Sequence, residues 1–148
     1  MPKVLVVDDD ETIRDTLYEL LSEDYVCEIA ETAEKALVRL EVDTYDVVLT
    51  DISMPGLSGL ELLGHVRQKY PTTPVIIISG ISDQEHAQGL IRIGAFDFLL
   101  KPFSLEVVEK SVKMAVEHRR HLLAQAAGTE AASEKKETDD GNDWTIVM

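Results

Sequence analysis

Residues 4–10 of the chain read VLVVDDD, a continuous apolar run that ends abruptly in three acidic residues. Four more short apolar runs follow, at residues 26–30, 47–49, 75–78 and 96–100. Continuous runs rich in Val and Ile predict strands that are buried on both faces, as in a parallel sheet. Between them lie segments whose apolar residues recur at helical spacing. The sequence therefore predicts an α/β fold.

The predicted helices have recognisable starts and ends. The first has its apolar residues on one helical face, at Ile13, Leu17, Leu20 and Leu21. Thr32 and Ser104 are placed to cap the second and the fifth helix, and Gly94 ends the fourth, predicted at residues 83–93. The third is predicted at residues 58–69. Right-handed crossovers with helices on both faces leave few topologies. Among them we predict a doubly wound, flavodoxin-like (βα)5 sheet with strand order 2-1-3-4-5.

The composition of the chain changes near Gln125. We predict one domain at residues 1–124 and an acidic, disordered tail at residues 125–148, because residues 128–143 are small, polar and charged without an apolar period. The tail ends in the apolar stretch Trp144-Thr145-Ile146-Val147-Met148. Docking of this stretch on a partner, or on the domain's own surface, is the alternative to disorder.

The charge and the single cysteine exclude some classes of protein. A net charge of −14 over 148 residues argues against direct binding of DNA or RNA. It suits a divalent cation, a basic patch on another protein, or simply a well-solvated surface. Cys27 lies in an apolar stretch and is predicted to be a buried, unpaired thiol, which fits a reducing cytoplasm. No apolar run is long enough for a membrane span, and acidic residues come too early for a signal peptide.

Polar residues follow four of the predicted strands. In the predicted strand order, the direction of winding reverses between the first and third strands, where ligands bind in such sheets. Those strands end in Asp8-Asp9 and in Asp51, while Ser79 and Lys101 follow the next two. Clustered carboxylates repel unless a cation neutralises them, and Mg²⁺ accepts both carboxylate and phosphate oxygens. Asp51 is the candidate nucleophile for an aspartyl phosphate, with Lys101 and Ser79 contacting phosphate oxygens.

Two charged clusters have a structural explanation beside a functional one. Asp10 and Glu11 are expected as acids in the first turn of a helix, where they complement the helix dipole, rather than as neighbours of a metal. The segment His118-Arg119-Arg120-His121 is expected as basic residues at a helix C-terminus, with a recognition patch as the alternative.

Four motifs, taken in their order and spacing, resemble the response-regulator receiver domains of two-component signalling over residues 2–122. They are Val7-Asp8-Asp9, Asp51 within DVVLTDISMPGLSG, Ser79-Gly80 within PVIIISG, and Lys101-Pro102 within GAFDFLLKP. Each motif alone is weak, whereas all four in register are specific.

The resemblance implies how the acidic residues act. Asp51 is similar to the phosphoacceptor of the family. Asp8 and Asp9 are similar to the pair that positions Mg²⁺, with Asp51 and the backbone carbonyl of Ser53 as further ligands.

The resemblance also implies the residues that respond to phosphorylation. Ser79 is similar to the hydroxyl switch residue, Phe98 to the aromatic switch residue, and Lys101 to the phosphate-pairing lysine, with a cis peptide bond before Pro102. Ser79 stands where threonine is frequent, and Phe98 where tyrosine is common. Phenylalanine lacks the phenolic hydroxyl, so a hydrogen bond at the ring tip is lost and the strength of the switch is open.

These features imply a phosphorylation-switched signalling module rather than an enzyme. A histidine kinase or phosphotransfer protein would donate the phosphoryl group, and the chain would catalyse only its own phosphorylation and dephosphorylation. Phosphorylation would change the surface of the fourth helix, fifth strand and fifth helix, and so control a downstream protein or form a dimer.

Other functions stay open on the same architecture. A Mg²⁺-dependent phosphatase of the haloacid dehalogenase type needs an Asp two residues after the nucleophile, where Ser53 stands. A flavodoxin needs hydroxyls and amides after the first strand, where this chain has three acids. A receiver-like domain without phosphate chemistry does not need the complete site. The chain is expected to act either alone or as the receiver fragment of a longer regulator, since the residues after the fifth helix are too few for an effector domain.

Overall fold

The computed structural model describes residues 1–80 and 93–135, with side chains as far as residue 127. This part of the chain contains a parallel sheet in the order β2-β1-β3-β4-β5. All four strand pairings are parallel. The strands are β1 (Lys3–Val7), β2 (Val26–Ala30), β3 (Val47–Asp51), β4 (Val75–Ser79) and β5 (Asp97–Leu100). The predicted α/β fold, with its flavodoxin-like strand order, is confirmed.

Helices alternate with these strands. They are α1 (Glu11–Leu21), α2 (Ala33–Val42), α3 (Gly59–Lys69) and α4 (Leu105–Lys135). Helix α4 is the one that was predicted as the fifth helix of the chain. Thr32 caps α2 by accepting from the Lys35 amide, and Ser104 accepts from the Val107 amide at the start of α4. The helix predicted at residues 83–93 lies, apart from its last residue, outside the described residues. Gly94 follows with a φ of +110°, a conformation that favours glycine.

Asp10 is the N-cap residue of α1 rather than a first-turn acid. Its carboxylate accepts hydrogen bonds from the amides of Thr12 (2.9 Å) and Ile13 (3.2 Å), while Glu11 occupies the first turn as predicted. This arrangement satisfies two amides that no helical carbonyl can reach. It also directs the Asp10 side chain to the helix end.

Two apolar clusters cover the two faces of the sheet, because successive side chains of a strand point to opposite faces. In β1, Leu5 and Val7 pack towards α2 and α3, whereas Val4 and Val6 pack towards α1 and α4. Every residue of β3 and β4 is buried. The packing of the central strands therefore positions the polar residues at their ends.

Helix α4 continues past the predicted domain boundary after residue 124. It runs for 31 residues, about 46 Å at 1.5 Å per residue. Residues 125–135 read QAAGTEAASEK and are helical, although they were expected in a disordered tail. Ala, Glu, Gln and Lys favour helix, and a helix that has already begun extends at little cost. Residues 136–148 lie outside the described residues, so the rest of the predicted tail stays a prediction.

The expectation that residues 118–121 mark a helix C-terminus is wrong, since α4 continues for four more turns. Arg119 instead forms an ion pair with Asp46, with Nη1 and Oδ1 2.8 Å apart. The other carboxylate oxygen of Asp46 accepts from the Lys3 amide at 2.8 Å. Arg119 therefore joins the middle of α4 to the start of the sheet.

Candidate functional site

The two central strands bring three carboxylates together at the carboxyl edge of the sheet. Asp8 directly follows β1, Asp9 follows Asp8, and Asp51 is the last residue of the neighbouring β3. One carboxylate oxygen of each lies within 4.8 Å of the others. Asp8 and Asp51 are buried, whereas Asp9 is exposed to solvent. The cluster therefore reaches solvent through Asp9.

Asp8 is fully buried, and its two carboxylate oxygens have different surroundings. Oδ1 accepts a hydrogen bond from the Asp10 amide at 2.9 Å. Oδ2 is buried without a hydrogen-bond donor among the described residues, since Lys101 Nζ is 3.9 Å away. Burial raises the pKa of Asp8 to about 6, and the nearby Asp51 carboxylate adds to that rise.

Lys101 approaches the cluster from the end of β5. Its Nζ atom lies 3.1 Å from Asp51 Oδ1, and its side chain is about one quarter exposed (28%). Burial raises the pKa of Asp51, although the ammonium of Lys101 opposes that shift. The Lys101–Pro102 peptide bond is cis, as the resemblance implies. The lysine is thus placed to neutralise negative charge at Asp51.

The backbone around Asp51 is held by close contacts. Thr50 Oγ1 donates to the Asp51 carbonyl at 3.0 Å, and the Ile52 amide donates to the Ile78 carbonyl at 2.9 Å. Gly59, the first residue of α3, donates to the Ile52 carbonyl at 3.0 Å. A Cβ atom at Gly59 would lie only 2.0 Å from the Asp51 carbonyl oxygen. The start of α3 can approach Asp51 this closely only because residue 59 is glycine.

The remaining predicted site residues lie around this cluster. Ser79 is fully buried at the end of β4, and its Oγ donates to the Gly80 carbonyl at 3.3 Å. Phe98 is half-buried in β5 and packs against the apolar cluster under α2 and α3. Ser53 is exposed, two residues beyond Asp51 in the loop before α3. The metal-ligand role of its carbonyl stays a prediction.

Arg14 belongs to this site although the sequence analysis did not identify it. Its Nη1 atom donates to the Asp8 carbonyl at 2.9 Å, and its Nε atom is buried without a partner among the described residues. The contact helps to hold the Asp8 backbone in place. The sequence did contain one signal for this role, an arginine one helical turn after the acidic residues. Its spacing alone does not show which backbone or side-chain atom the guanidinium contacts.

The donor set fits Mg²⁺ rather than a softer metal. Among the residues that the structure describes, the cluster offers carboxylate oxygens and no histidine or thiol, and hard oxygen ligands suit Mg²⁺. The buried Oδ2 of Asp8, which lacks a hydrogen-bond donor among the described residues, would gain a partner in a bound cation. Asp8, Asp9 and Asp51 are the side chains that would hold it.

Because the pKa of Asp8 is about 6, Mg²⁺ binding is expected to weaken in mild acid. Below that pH the cation must displace a proton, so the apparent affinity should fall by about tenfold per pH unit. Since folding raises this pKa, the metal-free protein should also lose stability as pH rises from about 4 to about 6. Calorimetric Mg²⁺ titrations and urea unfolding across this range measure both effects. Asp8→Asn should remove this contribution to the pH dependence of stability, and a pH-independent Mg²⁺ affinity would contradict the assignment.

The fold and the site together define a class: flavodoxin-like α/β domains with an acidic cluster and a lysine at the carboxyl edge of the sheet. Comparison with known proteins identifies the family. The sequence model of the response regulator receiver domain family matches residues 4–113. The chain belongs to this family, and the resemblance noted from its motifs is confirmed. None of the described helices is long and apolar enough to cross a bilayer.

Several regulators and receiver structures are similar to the chain. It is 40% identical to the DNA-binding transcriptional regulator NtrC of Salmonella typhimurium over 116 residues. These residues cover 78% of this chain and 25% of that protein. It is 35% identical to the response regulator protein FleR of Pseudomonas aeruginosa over 131 residues. These residues cover 86% of this chain and 26% of that protein. The chain therefore spans about a quarter of the length of these curated relatives.

Solved structures agree in fold. The receiver domain of NtrX from Brucella abortus superposes with a TM-score of 0.74 at 37% identity, covering 77% of this chain and 98% of that one. A response regulator receiver domain protein from Clostridium thermocellum gives a TM-score of 0.78 at 30% identity, covering 82% of this chain and 99% of that one.

Proposed function

We propose that the chain is a phosphorylation-switched signalling module in which Asp51 accepts a phosphoryl group from a histidine kinase or a phosphotransfer protein. One observation carries the proposal: the carboxylates of Asp8, Asp9 and Asp51 lie within 4.8 Å of one another, with Lys101 Nζ 3.1 Å from Asp51. A transferred phosphoryl group needs a nucleophile with positive charge beside it, and this cluster offers both once it holds a cation.

The transfer step follows from these groups. A bond forms between a carboxylate oxygen of Asp51 and the phosphorus, while the bond from phosphorus to the donor's imidazole nitrogen breaks and that nitrogen keeps the electron pair. Lys101 pairs with a phosphoryl oxygen, which disperses its negative charge. Mg²⁺, when bound, supplies further neutralisation of the phosphoryl oxygens. Attack of water on phosphorus later restores the carboxylate and releases inorganic phosphate, so no external substrate is turned over.

The signal is carried by Ser79 and Phe98. The Ser79 hydroxyl bonds a neighbouring carbonyl at 3.3 Å, a long contact that a phosphoryl oxygen can replace. Movement of Ser79 opens space beside β5, and Phe98, which has no ring hydroxyl, follows by packing alone. The altered surface of β5, α4 and the segment before them then controls a downstream protein or pairs with a second copy.

The setting of this module follows from its charge and its relatives. Curated relatives such as NtrC are DNA-binding regulators, but the matched quarter of their length is the receiver, and this chain carries a net charge of −14. We infer that the segment contacts proteins rather than nucleic acid or membrane, in the cytoplasm, either alone or as part of a longer regulator. There the buried, unpaired Cys27 stays reduced; burial raises the pKa of its thiol to about 12.

The proposal is tested with the full chain and acetyl phosphate as a small-molecule donor. Intact-mass spectrometry should show the gain of one phosphoryl group with Mg²⁺ and none with EDTA, and hydroxylamine should remove it, as expected of an acyl phosphate. Absence of the modification at saturating donor and Mg²⁺ would refute the proposal. Continuous turnover of a generic phosphomonoester would favour a phosphatase instead.

A further inference from the structure

A groove of about 340 Å³ lies at the amino-terminal ends of β4 and β5, on the edge of the sheet opposite to Asp51. That volume is in the range of pockets that bury a small ligand or a large side chain. Its walls come from the end of α3, the loop before β4, the approach to β5 and the middle of α4. The lining side chains include Arg67, Pro71, Pro74, Phe96, His118 and Leu122.

The groove combines apolar side chains with polar surface that includes the cation of Arg67. The ring of Phe96 lies 5.2 Å from that of His118, centroid to centroid, at a tilt of 37°. Arg67 Nη1 donates to the Pro71 carbonyl at 2.8 Å, which fixes the guanidinium at the rim. Among the described residues, no carboxylate lies within ion-pair distance of Arg67. In so acidic a chain, a fixed cation without a counter-charge in the described part attracts an acidic segment.

We propose that this groove binds residues 136–148 of the same chain, which lie outside the described residues. The segment reads KETDDGNDWTIVM. Its four acids against Lys136 give a net charge of −3, and the acids directly precede Trp144, Ile146, Val147 and Met148. Acidic residues beside Arg67 and an aromatic side chain against prolines and Phe96 complement both parts of the groove. This binding does not depend on phosphorylation of Asp51.

The length of the chain allows the segment to reach the groove. Leu122 lines the groove and lies 13 residues before Lys135, the last residue of α4, a distance of about 20 Å along the helix. The nine residues from Lys135 to Trp144 span up to about 30 Å when extended. The segment can therefore fold back beside α4, and the short connection gives it a high effective concentration at the groove.

Trp144 provides a direct measurement, since it is the only tryptophan of the chain. In the full chain, its emission should be shifted to shorter wavelength and protected from acrylamide, relative to the same chain in urea. Arg67→Glu should remove the shift and the protection. Arg120→Glu, an equal charge change at an exposed position of α4 that does not line the groove, should leave both unchanged.

Further variants separate docking from effects on folding. Leu122→Ser alters the groove from α4 and should give the same loss as Arg67→Glu, with circular dichroism confirming a folded domain. Adding Asp143→Arg to Arg67→Glu should restore the shift by reversing both charges. The proposal would be overturned if Trp144 emission of the folded wild-type chain matched that of the chain in urea. It would also be overturned if Arg67→Glu left the emission unchanged. Loss of the shift on dilution would assign the groove to a second copy and overturn docking within one chain.

Discussion

Asp51→Asn is expected to abolish phosphoryl transfer to the chain. Asparagine keeps the shape of the side chain but has no carboxylate to attack phosphorus, and its neutral amide is a poor ligand for a cation beside Asp8 and Asp9. With acetyl phosphate and Mg²⁺, the mass of one phosphoryl group should appear on the wild-type chain and be absent from the variant. Peptide mapping of the wild-type protein should place the group on Asp51.

This loss should not come from unfolding. Burial raises the pKa of Asp51, which means that the buried, ionised carboxylate lowers the stability of the folded state at neutral pH. The ion pair with Lys101 offsets part of this cost, and a neutral asparagine does not incur it. The variant should therefore be about as stable as the wild type in urea, or more stable. Asp15→Asn changes an exposed acid of α1 and is the matched control, which should be phosphorylated normally. Phosphorylation of Asp51→Asn at the wild-type level would remove Asp51 as the acceptor.

Gly59→Ala is expected to destabilise the chain strongly and to disturb the site at the same time. The added Cβ would lie 2.0 Å from the Asp51 carbonyl oxygen and 2.9 Å from the Cα of Ile52, so backbone must move on one side or the other. Overpacking against backbone should lower the free energy of unfolding by about 3 kcal/mol or more. Urea unfolding measures this loss, and the rate of phosphorylation should fall because Asp51 and the following loop are displaced.

Gly64→Ala is the matched control for Gly59→Ala, because it makes the same chemical change one and a half turns further along α3. Its added Cβ would meet nothing within 4 Å. Alanine is the better helix former, so this variant should be more stable than the wild type by about 0.5–1 kcal/mol. Equal effects of the two substitutions would show that helix propensity, rather than the approach to Asp51, decides the outcome.

The amino-acid sequence by itself determined the strands and the gathering of acids, and it narrowed the strand order. Runs such as Val4–Val7 and Val75–Ile78 are local signals that a strand is buried on both faces. The handedness of crossovers leaves few topologies, and the flavodoxin-like order was predicted from among them. Because parallel strands all end at one edge, residues placed directly after them must meet there. Asp8, Asp51 and Lys101 could be predicted together for this reason.

The tertiary structure alone decided what each group contacts. The contact of Arg14 with the Asp8 carbonyl, the pairing of Arg119 with Asp46, and the approach of Gly59 to Asp51 depend on how helices pack on the sheet. The rise in the pKa of Asp8 depends on how completely that packing excludes water. Periodicity along a chain specifies which face of an element is buried. Which atoms meet across that face is set by the packing of segments distant in sequence, and here that packing created the polar environment of the site.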